Sequence, residues 1–215
     1  MQRLRIKFSR GEEVKFISHL DIMRLWQRIF IRAGVPLAYS EGFNPHPRIS
    51  LAAPLALGVT SAAELMDVIL SQWLSPHSFL SMVSHQLPRG IEIDQVLNMP
   101  PNSPSLQSQV RFAEYRVLLE TQKNRDDIED AIASVLARKE LPWQHQRDTG
   151  VRRYDLRALI DEIRFIDLEE GRCIIDMKLR CDSGGSGRPE QVAAAIGFDK
   201  YPRSIHRTRL ILNST

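Results

Sequence analysis

An uncharged, proline-rich segment divides this chain into two halves. Residues 99–110 contain no acidic or basic side chain, and Pro100, Pro101 and Pro104 lie there among Asn and Ser residues. This composition is typical of a linker, because such residues favour turns and bury little apolar surface. A chain of 215 residues is long enough for two small domains, so we predict domains at 1–98 and 111–215, joined by a linker at 99–110.

The first half alternates between strand and helix patterns. Leu4, Ile6 and Phe8 alternate with cationic residues, as in a half-buried strand. Ser18 and Asp21 have the spacing of a capping box, and apolar residues follow at helical spacing. The patterns further along predict a strand at 49–57, a strand at 64–70, a helix at 76–86 and a strand at 91–97.

The second half has the same order of elements. Its patterns predict strands at 114–120, 159–166, 172–180 and 204–212, with helices at 125–138 and 189–196. Both halves therefore have the order βαββαβ, which is the ferredoxin-like plan. We predict an α+β protein of two tandem ferredoxin-like domains with antiparallel sheets.

Charge is distributed unevenly along the chain, although the net charge is only +3. Residues 1–50 hold nine Lys and Arg against four Asp and Glu, whereas residues 51–100 hold one against four. The cationic end suits a phosphate-bearing or acidic partner. No apolar run is long enough to span a bilayer and no signal peptide is recognisable, so we expect a cytoplasmic protein with no membrane partner.

The cysteine content and the motifs exclude several classes of enzyme. Cys173 and Cys181 are the only cysteines, and strand alternation places both on a buried apolar face. Two thiols cannot hold an iron–sulfur cluster, and no metal, nucleophile-elbow or dinucleotide motif is present. We therefore expect no cofactor, no metal site and no self-sufficient redox enzyme.

The loop Tyr39–Arg48 is the first candidate binding segment. Pro45 and Pro47 restrict their own backbone and that of the preceding residue, so the polar side chains stand on a stiff loop. A preorganised polar loop suits ligand binding, whereas the alternative is a turn whose side chains face solvent. The candidate binding residues of this loop are Ser40, Asn44, His46 and Arg48.

A second candidate surface lies on the first strand, where Arg3, Arg5 and Lys7 occupy the face opposite the apolar residues. Helices cover only one sheet face in a ferredoxin-like domain, so we expect this cationic face to be open and to contact RNA phosphates. The alternative is a face packed on the other domain, with its arginines paired to acids.

The second half adds two basic clusters, at 151–157 and 205–209. Arg153, Arg157, Arg207 and Arg209 are candidates for phosphate contacts, and pairing with carboxylates across the sheet explains them equally well. The glycine-rich segment 183–189 lacks the Gly-Lys-Ser/Thr ending of a P-loop, so the sequence favours a flexible connection there.

Two histidines are candidates for acid–base chemistry. His19 lies in the first turn of the predicted helix and His46 in the loop, and imidazoles titrate near neutral pH. The alternative for His19 is a role in capping or packing.

Three segments of the first half carry a family resemblance, namely Phe16–Asp21, Arg32–Ser50 and Pro54–Val59. Together they resemble the uncharacterised radical-SAM-linked protein family, a bacterial domain of unknown function found beside or fused to radical SAM proteins. Weaker likeness continues at 154–157, 187–189 and 206–209. The resemblance implies a radical SAM protein as partner, and the family's genomic setting implies RNA or a ribosomal component as substrate. It implies no reaction for this chain.

Three functional hypotheses follow. The preferred one is an accessory substrate-binding protein of a radical SAM modification system, which binds RNA (tRNA or rRNA) through a basic cleft. The second is a metal-independent endoribonuclease that resembles the CRISPR repeat-processing enzymes in architecture and uses His19 or His46. The third is a protein-docking module that does not bind RNA. On its own, the chain is expected to be a binding protein rather than an enzyme.

Overall fold

The computed structural model describes residues 1–147 and 150–213, which form a mixed α+β protein. The predicted α+β class is therefore confirmed. The chain divides into two units: unit 1 comprises residues 1–110 with Leu212 and Asn213, and unit 2 comprises residues 111–211. None of the helices in the described part is long and apolar enough to cross a membrane.

Unit 1 has the element order β1-α1-β2-β3-α2-β4, followed by a short helix α3. Its strands lie in the order β4-β1-β3-β2, and each neighbouring pair is antiparallel. The bounds are β1 Gln2–Arg10, α1 His19–Arg32, β2 Ile49–Leu51, β3 Thr60–Leu70, α2 Pro76–Ser84, β4 Ile91–Met99 and α3 Leu106–Gln109.

The core of unit 1 packs one face of β1 against α1. Phe8 meets Trp26 edge to face with ring centroids 4.9 Å apart, and Trp26 stacks on Phe30 at 5.3 Å. All three rings are fully buried. The Ser18 side chain accepts a hydrogen bond from the Asp21 backbone N–H, so the predicted cap of α1 is confirmed.

Unit 2 has a four-stranded sheet with the order β8-β9-β5-β11, and a two-residue strand β10 also pairs with β9. A separate antiparallel hairpin is formed by β6 and β7. The bounds are β5 Val110–Glu120, α4 Arg125–Ala137, β6 Pro142–Arg147, β7 Gly150–Asp155, β8 Ile160–Glu169, β9 Arg172–Asp182, β10 Gly185–Ser186, α5 Pro189–Ala195 and β11 Ser204–Leu212.

Three local differences separate the predicted and observed elements. The strand predicted at 49–57 ends at Leu51, and Pro54 beyond it lacks the N–H needed for a sheet ladder. The predicted linker contains α3. The hairpin of β6 and β7 was not predicted, because its mostly polar residues lack the alternation of a half-buried strand.

The buried face of β9 agrees with its sequence pattern. Cys173, Ile175, Met177, Leu179 and Cys181 are all buried, as the alternation of apolar residues predicts. Burial, assisted by the negative charge of Asp167, raises the pKa of the Cys173 thiol to about 11. A neutral, buried thiol of this kind is a packing residue.

Candidate functional site

Two of the three predicted cationic residues of β1, Arg3 and Arg5, are not free to bind a partner. Arg5 lies opposite Asp67 of β3, and its Nε donates to the Asp67 carboxylate at 2.8 Å, while Arg3 Nη2 contacts the same carboxylate at 2.5 Å. Arg3 and Arg5 are only 8% and 7% exposed. The expected open face is therefore wrong at these two positions.

The segment 103–109 explains this burial. The Arg3 guanidinium donates to the carbonyls of Ser103 and Pro104 at 2.6 and 2.8 Å, and Arg5 donates to the Gln109 side chain at 3.1 Å. Part of the predicted linker thus covers the sheet face that was expected to be open.

Lys7 is the one member of this row that stays accessible. Its ammonium contacts the Asp94 carboxylate at 2.5 Å, and the Lys7 side chain is 41% exposed. An exposed ion pair of this type is weak.

The predicted binding loop is an exposed hairpin whose base is held by two hydrogen bonds between Ser40 and His46. The Ser40 N–H donates to the His46 carbonyl at 2.9 Å, and the His46 N–H donates to Ser40 Oγ at 3.0 Å. The side chains of Asn44 and Arg48 are exposed as well. All four predicted binding residues of the loop are therefore accessible, and the ring of Phe43 in the same loop is fully exposed.

The two candidate catalytic histidines are both exposed in unit 1. His19 is the first residue of α1, and His46 belongs to the exposed hairpin. No hydrogen bond joins them within the described part of unit 1. Their pairing in a reaction stays a prediction.

The four predicted arginines of unit 2 have different surroundings. Arg157 donates to the carbonyls of Leu136 and Ile160, which is a structural role. Arg207 is only 1% exposed and lies over the ring of Tyr115, so its expected surface contact with phosphate is wrong. Arg153 and Arg209 are exposed.

A cavity of about 210 Å³ in unit 2 collects cationic side chains from separate segments. We call it the arginine pocket. Its polar lining includes His145 of β6, Arg152 and Tyr154 of β7, Arg180 of β9 and Arg188 at the start of α5. Ala158, Leu159, Gly184 and Gly185 complete much of the wall.

Hydrogen bonds hold two of these arginines in place. Arg180 Nε donates to both oxygens of the Asp182 carboxylate at 2.9 Å, and Asp182 also accepts the N–H of Gly184. Burial alone raises the pKa of Asp182, but these hydrogen bonds outweigh it and lower the pKa below its usual value. Arg188 Nη1 lies 3.2 Å from His145 Nε2 and 3.9 Å from the Glu190 carboxylate.

Arg152 is held differently. Its guanidinium lies 5.7 Å from the centre of the Tyr154 ring, and among the described residues it has no carboxylate partner. The Tyr154 hydroxyl donates to Gln191 Oε1, which fixes the ring. Partial burial raises the pKa of Tyr154 despite the opposing charge of Arg188, so the phenol stays neutral near pH 7.

Asp155 also lines the pocket. Its Oδ1 accepts the backbone N–H groups of Leu141 and Arg157 at 2.8 and 2.9 Å. A carboxylate used in this way stabilises the turn after β7.

Sequence reasoning missed most of the arginine pocket. Successive strand side chains point to opposite faces, and Arg152 lines the pocket whereas the predicted Arg153 does not. Arg180 and Arg188 flank the glycine-rich segment, which was predicted to be a flexible connection. Two arginines on either side of three glycines were the sequence signal that could have indicated this pocket.

Comparison with solved structures finds proteins of distantly similar fold. One similar structure is the "Crystal Structure of a Cbf5-Nop10-Gar1 Complex", with a TM-score of 0.51 and 10% identity over 97% of this chain and 48% of that chain. Another is the "Structure of H/ACA RNP bound to a substrate RNA containing 2'-deoxyuridine", with a TM-score of 0.49, 11% identity and coverage of 97% and 47%. This chain spans about half the length of these two chains, and likeness at such identity concerns the fold alone.

No curated protein matches the chain significantly. A family model does match, and it covers residues 3–189. The matched region includes nearly all of β1 and all of β2 to β10, and therefore both the exposed hairpin and the arginine pocket. The chain belongs to the DUF2344 family, whose members are described as uncharacterised proteins conserved in bacteria.

Proposed function

We propose that this protein binds RNA by placing a phosphate group in the arginine pocket. Three guanidinium groups at one small cavity are the observation that carries this proposal. Guanidinium groups bind phosphate through paired N–H donors, and Arg152 has its donors available because no described carboxylate engages it.

The pocket also contains groups that suit nucleotides beyond their phosphates. The Arg152 guanidinium and the Tyr154 ring provide flat surfaces, and proteins that bind single-stranded RNA stack bases on such groups. The exposed hairpin residues Ser40, Asn44, His46 and Arg48 are further accessible contacts. Buried Arg3, Arg5 and Arg207 are not part of the proposed surface.

We further propose that the chain has two ferredoxin-like domains, with the predicted bounds 1–98 and 111–215. The element order of unit 1 and its strand order β4-β1-β3-β2 support this proposal. In unit 2, the order β8-β9-β5-β11 supports it in the same way.

The biological setting that we propose is an accessory substrate-binding role in a radical SAM modification system of the bacterial cytoplasm. The resemblance of Phe16–Asp21 and Arg32–Ser50 to radical-SAM-linked proteins supports it. RNA cleavage by His19 or His46 stays a prediction.

The experiment is a binding titration of a labelled tRNA by fluorescence anisotropy with wild type, Arg152→Ala and Arg138→Ala. We expect Arg152→Ala to weaken binding about tenfold, because a charge-assisted contact is lost. Arg138 is exposed and does not line the pocket, so Arg138→Ala should have little effect although it changes the net charge equally. Equal affinities of the two variants, or no binding by wild type, would contradict the proposal.

A second candidate function, docking of a protein partner, is favoured by one observation. Phe43 at the tip of the exposed hairpin is fully solvent-accessible, and exposed aromatic residues often dominate protein interfaces. Loss of radical SAM protein from co-purification with Phe43→Ala, while tRNA binding stays unchanged, is the result that supports this function.

A further inference from the structure

The lining of the arginine pocket combines two kinds of group. Arg152, Arg180 and Arg188 are cationic, whereas Ala158, Leu159 and the ring of Tyr154 offer apolar surface. An apolar wall beside cationic groups matches a nucleotide, which joins a flat base to an anionic phosphate. A site for an inorganic anion alone would not need the apolar surface.

The size of the pocket limits what can enter it. Its volume of about 210 Å³ is below the range of roughly 300–1,000 Å³ that is usual for sites of drug-sized ligands. Such a space suits one base, and it is too small for a base pair. Enzymes that act on flipped bases use pockets of this kind, in which a single base leaves its stack.

Bare backbone lies close to two side chains of the pocket. A Cβ atom on Gly185 would lie 2.6 Å from Leu159 Cδ2, and one on Gly184 would lie 2.5 Å from Arg180 Nη2. Glycine at both positions lets the loop between β9 and α5 pack against one apolar and one cationic side chain of the pocket. The segment predicted to be a flexible connection is thus part of the wall.

We propose that the arginine pocket holds one unpaired nucleotide, with its base against the apolar wall and its phosphate on the arginines. This inference rests on the proposed RNA binding and specifies its substrate class. The preferred RNA contains a bulged, looped or terminal nucleotide, and continuous duplex is a poor ligand.

The test compares two RNA hairpins that differ by one bulged nucleotide, which carries 2-aminopurine in the fluorescent version. We expect wild type to bind the bulged hairpin about tenfold more tightly than the paired one, because one base gains stacking contacts. The fluorescence of the bulged base should change on binding.

A cavity-filling variant tests base insertion. Ala158 is exposed and lines the pocket, so Ala158→Phe should fill the space. We expect this variant to lose the preference for the bulge, because the base no longer has room to enter. Ala133→Phe, on the exposed face of α4, is the control and should keep the preference.

The outcomes distinguish the two proposals. If wild type binds neither RNA, the proposed function fails, and this inference fails with it. If wild type binds both RNAs equally and the fluorescence of the bulged base stays constant, only the inference fails. Adenosine monophosphate is tested as a competitor, and binding as tight as that of the bulged RNA would assign the pocket to a free nucleotide instead. If Ala158→Phe does not fold, the wild-type fluorescence decides the matter.

Discussion

At the scale of single residues, Asp67 is central to unit 1. It is 2% exposed and contacts two buried arginines. If one partner of a buried ion pair is removed, the other charge stays buried without compensation, and the protein loses stability. This loss is much larger than the stability that the intact pair adds relative to an apolar replacement of both residues. The cationic residues that suggested a binding surface therefore serve the folding of unit 1.

We expect Asp67→Asn to lower the free energy of unfolding by about 3–5 kcal/mol, because Arg3 and Arg5 stay buried without a carboxylate. Urea unfolding followed by Trp fluorescence measures this change. Asp94→Asn is the control, since it removes the exposed partner of Lys7, and it should cost less than about 1 kcal/mol. Similar effects of the two substitutions would contradict this role of Asp67.

Cys173 provides a second test at this scale. Its pKa rises from 9.0 to about 11, so at pH 8 the reactive thiolate is about 100-fold scarcer than for an ordinary thiol. With Cys181 replaced by Ala, we expect alkylation of the native protein to be slow at pH 8 and fast in urea. Rapid alkylation of the native protein would show that Cys173 is accessible.

At the scale of secondary-structure elements, the glycine-rich segment between β9 and α5 has little freedom to vary. A Cβ atom on Gly187 would lie 2.9 Å from Leu179 Cβ and 3.0 Å from the Leu159 carbonyl. Neither of these atoms is the far end of a flexible side chain. The segment must therefore shift if any larger residue replaces Gly187.

We expect Gly187→Ala to destabilise the protein by about 1–3 kcal/mol, the usual cost of overpacking, and to weaken RNA binding. Thermal unfolding and the tRNA titration measure the two effects. Ser183→Ala is the matched control, because Ser183 is exposed and does not line the pocket, and it should be nearly neutral. A stable Gly187→Ala protein with normal affinity would show that the segment adapts easily.

Sequence patterns located elements better than they located the site. The cap and the apolar spacing of α1 are local properties, so Ser18 and the residues after it could be interpreted directly. The arginine pocket joins positions 145, 152, 180 and 188, and only the tertiary fold brings them together. The burial of Arg3 could not be predicted either, because the segment that covers it, around Ser103, lies about 100 residues further along the chain.

At the scale of the whole molecule, the net charge of +3 is too small for strong nonspecific attraction to nucleic acid. The proposed affinity depends instead on a few placed guanidinium groups. Each phosphate neutralised on a single strand contributes about −0.7 to the slope of log K against log salt concentration.

We therefore expect a slope of about −0.7 for the bulged RNA, because one phosphate group lies on the arginines of the pocket. Titrations between low and physiological salt measure it. Arg152→Ala should make the slope less steep, whereas Arg138→Ala should leave it unchanged. A wild-type slope near zero would argue against phosphate contacts as the source of affinity.

Unit 1 is built from two separate parts of the chain, which matters for its biosynthesis. Unit 2 is continuous in sequence, but unit 1 also includes Leu212 and Asn213, and the Asn213 N–H donates to the Gln109 carbonyl at 2.7 Å. A nascent chain that emerges from the ribosome therefore cannot complete its first unit until all of the second has been translated.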